Sequence, residues 1–144
     1  MIILSLDPGV TTGYAFGKVD DAQPYVLIEC GQIPGGVEGF VDWMITSNPD
    51  YDVLVAESFS LRPGAVHPNL EPVKVEGALS ALLGPDAVVY QQPSMKAVVG
   101  DERLRKAGLW QTSLRHANDA IIHGLAYSVV TLKHQPTIMR YYAG

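Results

Sequence analysis

The sequence predicts an α/β fold built on a five-stranded mixed sheet, with three antiparallel strands first, then a β-α-β-α run, and helices on both faces. Two observations carry this. Three apolar, period-two stretches follow one another through short turns near the N-terminus, which favours an antiparallel meander. Two later apolar runs, ending at Glu57 and Gln91, are each preceded by a stretch of helical periodicity, as crossover connections in a parallel arrangement require. The 144 residues, 47% of them hydrophobic and 17% charged, suit one globular domain and exclude a disordered chain.

Ile2 to Leu6 reads as a buried strand that ends on Asp7 and turns at Pro8-Gly9. Residues 11–18 form a second strand, with Tyr14 and Phe16 alternating against Ala15 and Gly17. Asp20, Asp21 and Pro24 turn the chain into a third, over 25–33. Val37, Phe40, Val41, Met44 and Ile45 then lie on one helical face, stopped by Asn48-Pro49. Residues 52–57 are a fourth strand, parallel to the first, and residues 58–69 are a loop. Asn69 caps a helix with Pro72 in its first turn and a core face of Val75, Leu79, Leu82 and Leu83, ended by Gly84-Pro85. Residues 86–91 are the fifth strand. A short helix runs from Ser94 to about Gly100, residues 101–112 are charged and leave helix and loop open, and a last helix spans about 113–134 and ends at Pro136.

Two apolar strands therefore end on carboxylates, Asp7 and Glu57. As parallel neighbours they bring those charges to one end of the sheet, where open α/β sheets place ligands. Side by side they repel, so a proton or a cation is required. The last helix adds His116 and Asp119 at i, i+3. Three carboxylates and one imidazole make a hard site suited to Mg²⁺ or Mn²⁺, and the absence of a thiolate disfavours zinc. Each residue taken singly has an ordinary reading: Asp7 as a turn residue, Glu57 as a partner for Arg62, and His116 and Asp119 as first-turn helix residues. His123, one turn further on, reads as structural.

Charge is divided along the chain. Residues 1–93 hold 3 Lys/Arg and 12 Asp/Glu, whereas residues 94–144 hold 7 Lys/Arg and 3 acids. A basic C-terminal part on a chain of net charge −5 suits a local phosphate-binding surface as well as an ordinary solvated face. The single Cys30 makes no disulfide, no leader or membrane span is read, and a cytoplasmic location is expected.

Four stretches together resemble the RuvC-type Holliday junction resolvases of the RNase H-like (retroviral-integrase-like) superfamily: "LSLDPGVTTGYA", "VLVAESF", "QQPSMKAVVG" and "RHANDAIIHGLAYS". The likeness runs through nearly the whole chain in the right order. It implies a metal-dependent endonuclease that cuts four-way DNA junctions by two-metal phosphodiester hydrolysis. Asp7, Glu57, His116 and Asp119 would be the ligands of two Mg²⁺ or Mn²⁺ ions, with Lys96 at the family's basic position beside them, contacting the phosphate or stabilising charge in the transition state. Lys106 matches a second supporting lysine, although DERLRKAGLW replaces the usual glycine-rich stretch. Phe59 matches a junction-probing aromatic, and Arg62, Arg103, Arg105 and Arg115 would join Lys96 and Lys106 on the DNA. The resemblance also implies a homodimer, for which Gly77, Ala78 and Ala81 offer a small-residue stripe, and it implies neither a nucleotide cofactor nor a membrane. The chain is short beside the cellular enzymes, which fits a phage-borne member.

Three other readings remain at this stage. "DPGVTTG" also resembles the phosphate loop of actin/Hsp70-type ATPases, but 144 residues cannot hold the duplicated domain which that class needs. A related flap or fork nuclease and a non-catalytic binder of branched DNA share the fold.

Overall fold

Alternation along the first strand settles the layering of the whole molecule. The computed structural model describes residues 1–61, 63–64 and 66–143. Its strands are β1 (Ile2–Asp7), β2 (Thr12–Lys18), β3 (Val26–Ile33), β4 (Val53–Glu57) and β5 (Val88–Gln91), and its helices are α1 (Gly36–Ser47), α2 (Glu71–Leu83), α3 (Lys96–Lys106), α4 (Arg115–Ala126) and α5 (Gln135–Tyr141). The sheet order is β3-β2-β1-β4-β5. β2 is antiparallel to both β1 and β3, while β4 is parallel to both β1 and β5. This is the mixed sheet that the sequence predicts, with helices on both faces.

Ile3, Ala15 and Val55 pack with Val99 and Leu104 of α3 and Ala120, Ile121 and Leu125 of α4. Leu4, Leu6, Leu54 and Ala56 pack on the opposite face with Phe40 and Met44 of α1 and Val75 and Leu79 of α2. Each large side chain buried in these two layers contributes about 1.5–3 kcal/mol. The same period of two carries Asp7 and Glu57 to the α4 side, because they continue the series Ile3, Ser5 and Val53, Val55. The β1–β4 register, Leu6 opposite Ala56, leaves the two carboxylates as the next residues of adjacent strands.

Four sequence expectations change. Ile45 and Leu82 are exposed rather than in the core, since half-buried Trp43 completes the α1 stripe instead and α2 turns only Val75 and Leu79 fully inward. The helix begun near Ser94 does not end at Gly100: that residue kinks the backbone at φ 71° and the helix continues to Lys106. The long last helix is two helices. After Ala126 a π-type turn spans Tyr127–Thr131, Leu132 N–H reaches Tyr127 O at 3.0 Å, and Lys133 takes φ 50°. Pro136 consequently sits in the first turn of α5, where its missing N–H costs nothing, and does not end a helix.

The C-terminal segment is docked rather than loose. Tyr25 N–H donates to Thr137 Oγ1 at 2.8 Å, and Tyr141 O–H donates to Tyr25 O at 3.0 Å. No helix among the described residues is long and apolar enough to cross a membrane.

Candidate active site

The site depends on how closely α4 approaches the sheet. A Cβ on Gly13 would lie 1.8 Å from the His116 carbonyl oxygen, so the start of α4 can rest on β2 only because that residue is glycine. Gly13 therefore serves helix packing inside a strand, not the turning of the hairpin. Ser5 Oγ donates to Ala120 O at 2.7 Å, which ties the middle of the helix to β1. At its N-terminus the His116 N–H, one of the donors a helix start leaves unpaired, is satisfied by Gln32 Oε1 of β3 at 2.9 Å. Asn118 is buried and clasps the preceding loop, accepting from Gln111 N–H and donating to Gln111 O, both at 2.8 Å. Sequence reasoning missed Gln32 and Asn118, whose partners become visible only when the loop and sheet are folded.

With α4 so placed, Asp7, Glu57, Lys96, His116 and Asp119 come together. The Lys96 ammonium lies among the three carboxylates, 2.9 Å from Glu57 Oε2, 3.2 Å from Asp119 Oδ2 and 3.9 Å from Asp7 Oδ1. His116 Nδ1 is 3.1 Å from Asp7 Oδ2. The carboxylates are largely covered, whereas the side chains of Lys96 and His116 are 32% and 45% exposed, so the cluster is reached from their side.

Burial pushes the Asp7 carboxyl up, and the Glu57 and Asp119 charges add to that, against the restraining His116 bond and Lys96 charge. Burial acts on Glu57 in the same sense, but hydrogen bonds from His123 and Lys96 outweigh it and hold the carboxyl below its usual range. The hydrogen bond to Asp7 raises the His116 imidazole. Lys96 is also raised, because its bond to Glu57 and the three negative charges outweigh its desolvation.

The donor set fits a hard dication. It is three carboxylates and an imidazole, and Asp119 Oδ1 is buried without a hydrogen-bond partner. A cation there would relieve both that orphan and the mutual repulsion felt by Asp7. Among the described residues no three His, Cys, Asp or Glu side chains already form a ligand cluster. Lys96 supplies the positive charge between them instead.

His123, read from the sequence as structural, is wholly buried and bonded within this site: Nε2 is 2.8 Å from Glu57 Oε2 and Nδ1 is 2.7 Å from Gln91 Oε1. Its seven-residue spacing from His116 places it on the same face of α4, which was the one sequence signal for it.

The residues expected on DNA are spread more widely. Arg115 reaches the cluster edge, with Nε 3.9 Å from Asp119 Oδ1, and pairs with Asp101 at 3.0 Å. Arg103 donates to Tyr141 O and stacks 4.0 Å over the Tyr142 ring, Arg105 lies 4.1 Å over Trp110, and Lys106 pairs with Glu102 at 3.1 Å. Phe59 is half-buried in the loop after β4, its N–H donated to Glu76 Oε1. Arg62 lies outside the described residues.

No protein-family model and no curated protein sequence matches the chain. Solved structures do. The chain is similar to Thermus thermophilus RuvC, at 13% identity and a TM-score of 0.64, over 93% of this chain and 98% of that one. It is similar to the same bacterium's RuvC in complex with a Holliday junction substrate, at 17% identity and a TM-score of 0.65, covering 92% and 96%. It is also similar to Fowlpox virus resolvase bound to Holliday junction DNA, at 16% identity and a TM-score of 0.53, covering 87% and 97%. The fold is the RuvC-type, RNase H-like fold.

Proposed function

We propose that this protein is a divalent-metal-dependent, structure-selective DNA endonuclease that resolves four-way junctions. The observation that carries the reading is the convergence of Asp7, Glu57 and Asp119 from β1, β4 and α4 around one ammonium group, with His116 against Asp7. Buried like charges gathered from three distant segments serve no purpose in packing and need a cation. The fold shared with RuvC and with a poxvirus resolvase supports the choice of substrate.

In this reading Asp7, Glu57, Asp119 and His116 hold two Mg²⁺ or Mn²⁺ ions. Bound there, such ions would supply Lewis-acid chemistry for water and phosphate. Lys96, partly exposed and flexible, exchanges its carboxylate partners for the scissile phosphate and stabilises charge that develops there. Arg115 at the rim takes the adjacent backbone phosphate, and Arg103, Arg105 and Lys106 extend this basic track along α3, contacts that set register and weaken with salt. The loop bearing Phe59 would face the branch point.

Paired cuts need two sites. We assign dimerisation to α2, where Val73, Gly77 and Ala81 form an exposed stripe and a Cβ on Gly77 would meet nothing within 4 Å, leaving room for a second backbone.

The deciding experiment offers synthetic four-way junction, flap, fork and linear duplex with Mg²⁺ or Mn²⁺. Paired, symmetric nicks in the junction are expected, and Asp7→Asn is expected to abolish them while leaving junction binding intact. Equal cleavage of flaps or forks makes the protein a related branched-DNA nuclease. Binding with no cleavage by either metal makes it a non-catalytic binder. Cutting by Asp7→Asn at the wild-type rate removes the site.

A further inference from the structure

We propose that His123, backed by Gln91, is a positioning residue for Glu57: it holds one carboxylate oxygen so that the other is presented to the metal. This rests on the reading of Glu57 as a metal ligand.

His123 is 0% exposed. A buried imidazole must have both nitrogens satisfied, a requirement that an apolar side chain at that place on α4 would not carry. Both are: Nε2 meets Glu57 Oε2 at 2.8 Å and Nδ1 meets the Gln91 side-chain amide at 2.7 Å. A carboxylate only accepts, so Nε2 carries the proton. The Gln91 amide nitrogen is buried with no partner. Rotating that amide by half a turn, which leaves its shape unchanged, sets its N–H₂ against Nδ1 and fixes a neutral imidazole with the proton on Nε2. If instead Gln91 Oε1 faces Nδ1, both nitrogens donate. Either way a proton on Nε2 is directed at Glu57.

The register explains why these three residues meet. Glu57 and Gln91 are paired across β4 and β5, so both point to the α4 face, and His123 lies one turn beyond Asp119 on that helix. The contacts of His123 and Lys96 fall on the same atom, Glu57 Oε2. If Lys96 leaves for a phosphate, His123 still holds that oxygen, so the carboxylate would keep its orientation and Oε1 would remain available as the ligand. Partners behind ligating carboxylates typically account for a 10–100-fold effect in metal affinity when they are lost.

The test is Mn²⁺ binding to the protein alone, followed by electron paramagnetic resonance of free Mn²⁺, with thermal melting of the metal-free proteins alongside. His123→Leu should weaken Mn²⁺ binding by roughly 10–100-fold. His123→Gln, whose amide can donate to the same oxygen, should recover most of it. Gln91→Met, which leaves His123 in place but frees its ring, should fall between. A merely structural histidine predicts the opposite pattern: lowered melting temperatures with Mn²⁺ affinity unchanged. Should His123→Leu fail to fold, equal Mn²⁺ affinity in wild type and Gln91→Met together with no recovery in His123→Gln overturns the proposal. Asp7→Asn and Glu57→Gln are titrated in parallel. If those two lose Mn²⁺ while His123→Leu keeps it, the positioning role fails alone. If wild type binds no Mn²⁺, or the two carboxylate variants bind as wild type does, the metal-site reading fails and this proposal falls with it.

Discussion

Lys96 decides the charge balance of the site. Its ammonium offsets three carboxylates, and removing one member of such a cluster leaves the rest uncompensated. With allowance for its partial exposure, Lys96→Met should cost about 1–3 kcal/mol without metal at pH 7.5. Asp7, already pushed up by burial, then loses the Lys96 charge that restrains it and holds its proton more tightly than in the unfolded chain, so stability should recover as pH falls toward 5, and also on adding Mg²⁺. Melting curves across pH and Mg²⁺ measure this, and an unchanged metal-free melting temperature refutes it. His116 carries the other titration. Asp7 raises it above 6.5, so its contribution to stability is present below 6.5 and is lost as pH rises through the raised value. Ligation needs the neutral ring, so Mn²⁺ affinity should climb with pH through a range above that of an ordinary imidazole. In His116→Asp the climb should disappear between pH 5.5 and 8.5. A wild-type midpoint below 6 contradicts the proposed Asp7 coupling. Asp7 and Glu57 were legible in the sequence because each ends an apolar run, and His116 and Asp119 because they share a helical face, whereas Lys96 was reached only through the family resemblance. The proposed role of His123 was not legible, because its partner lies 66 residues away and helical spacing gives only its face, not the carboxylate it meets.

Among the elements, α4 is the one whose placement makes the site. Its contact with β2 at Gly13 leaves no room for a methyl group, and the obstructing atoms are backbone, which cannot swing aside. Gly13→Ala should therefore cost about 3 kcal/mol or more in urea unfolding and displace His116 and Asp119 from Asp7. A loss below about 0.5 kcal/mol would mean that the helix does not lie this close. The strands, the antiparallel meander and the parallel direction of β4 to β1 were readable from period-two alternation, turn residues and the helical stretch before β4. The end of α4 was not. Leu114 to Leu132 keeps an apolar helical pattern throughout, yet Ser128 donates its hydroxyl back to Gly124 O, and His134 N–H is taken by Ser128 O. These local alternatives let the helix widen and stop, and the docking of Thr137 on Tyr25 favours starting a new one. Gly100 misled in the other direction: its positive φ bends α3 without ending it.

At the scale of the molecule, the acidic N-terminal and basic C-terminal parts meet at the site, where Lys96 and Arg115 face acids from β1, β4 and α4. Dimerisation through α2 predicts that the protein sediments as a dimer and that Gly77→Arg sediments as a monomer. The arginine faces open space and improves helix propensity, so the monomer fold should be kept. Such a variant should still bind junctions but lose paired cleavage, and a monomeric wild type rules out this interface. The path of the chain through the site has one more consequence. Asp7 and His116 are 109 residues apart, and Ser5 and Ala120 are 115 apart. At ordinary translation speed roughly 5–20 seconds separate the synthesis of Asp7 from that of His116, and Glu57 is made about midway through that interval. On the proposed reading, a chain that ends before α4 would carry Asp7 and Glu57 without His116 and Asp119 and would not cut DNA. The capacity to cut would then arrive only with the last helices, as a built-in check that synthesis has run through α4.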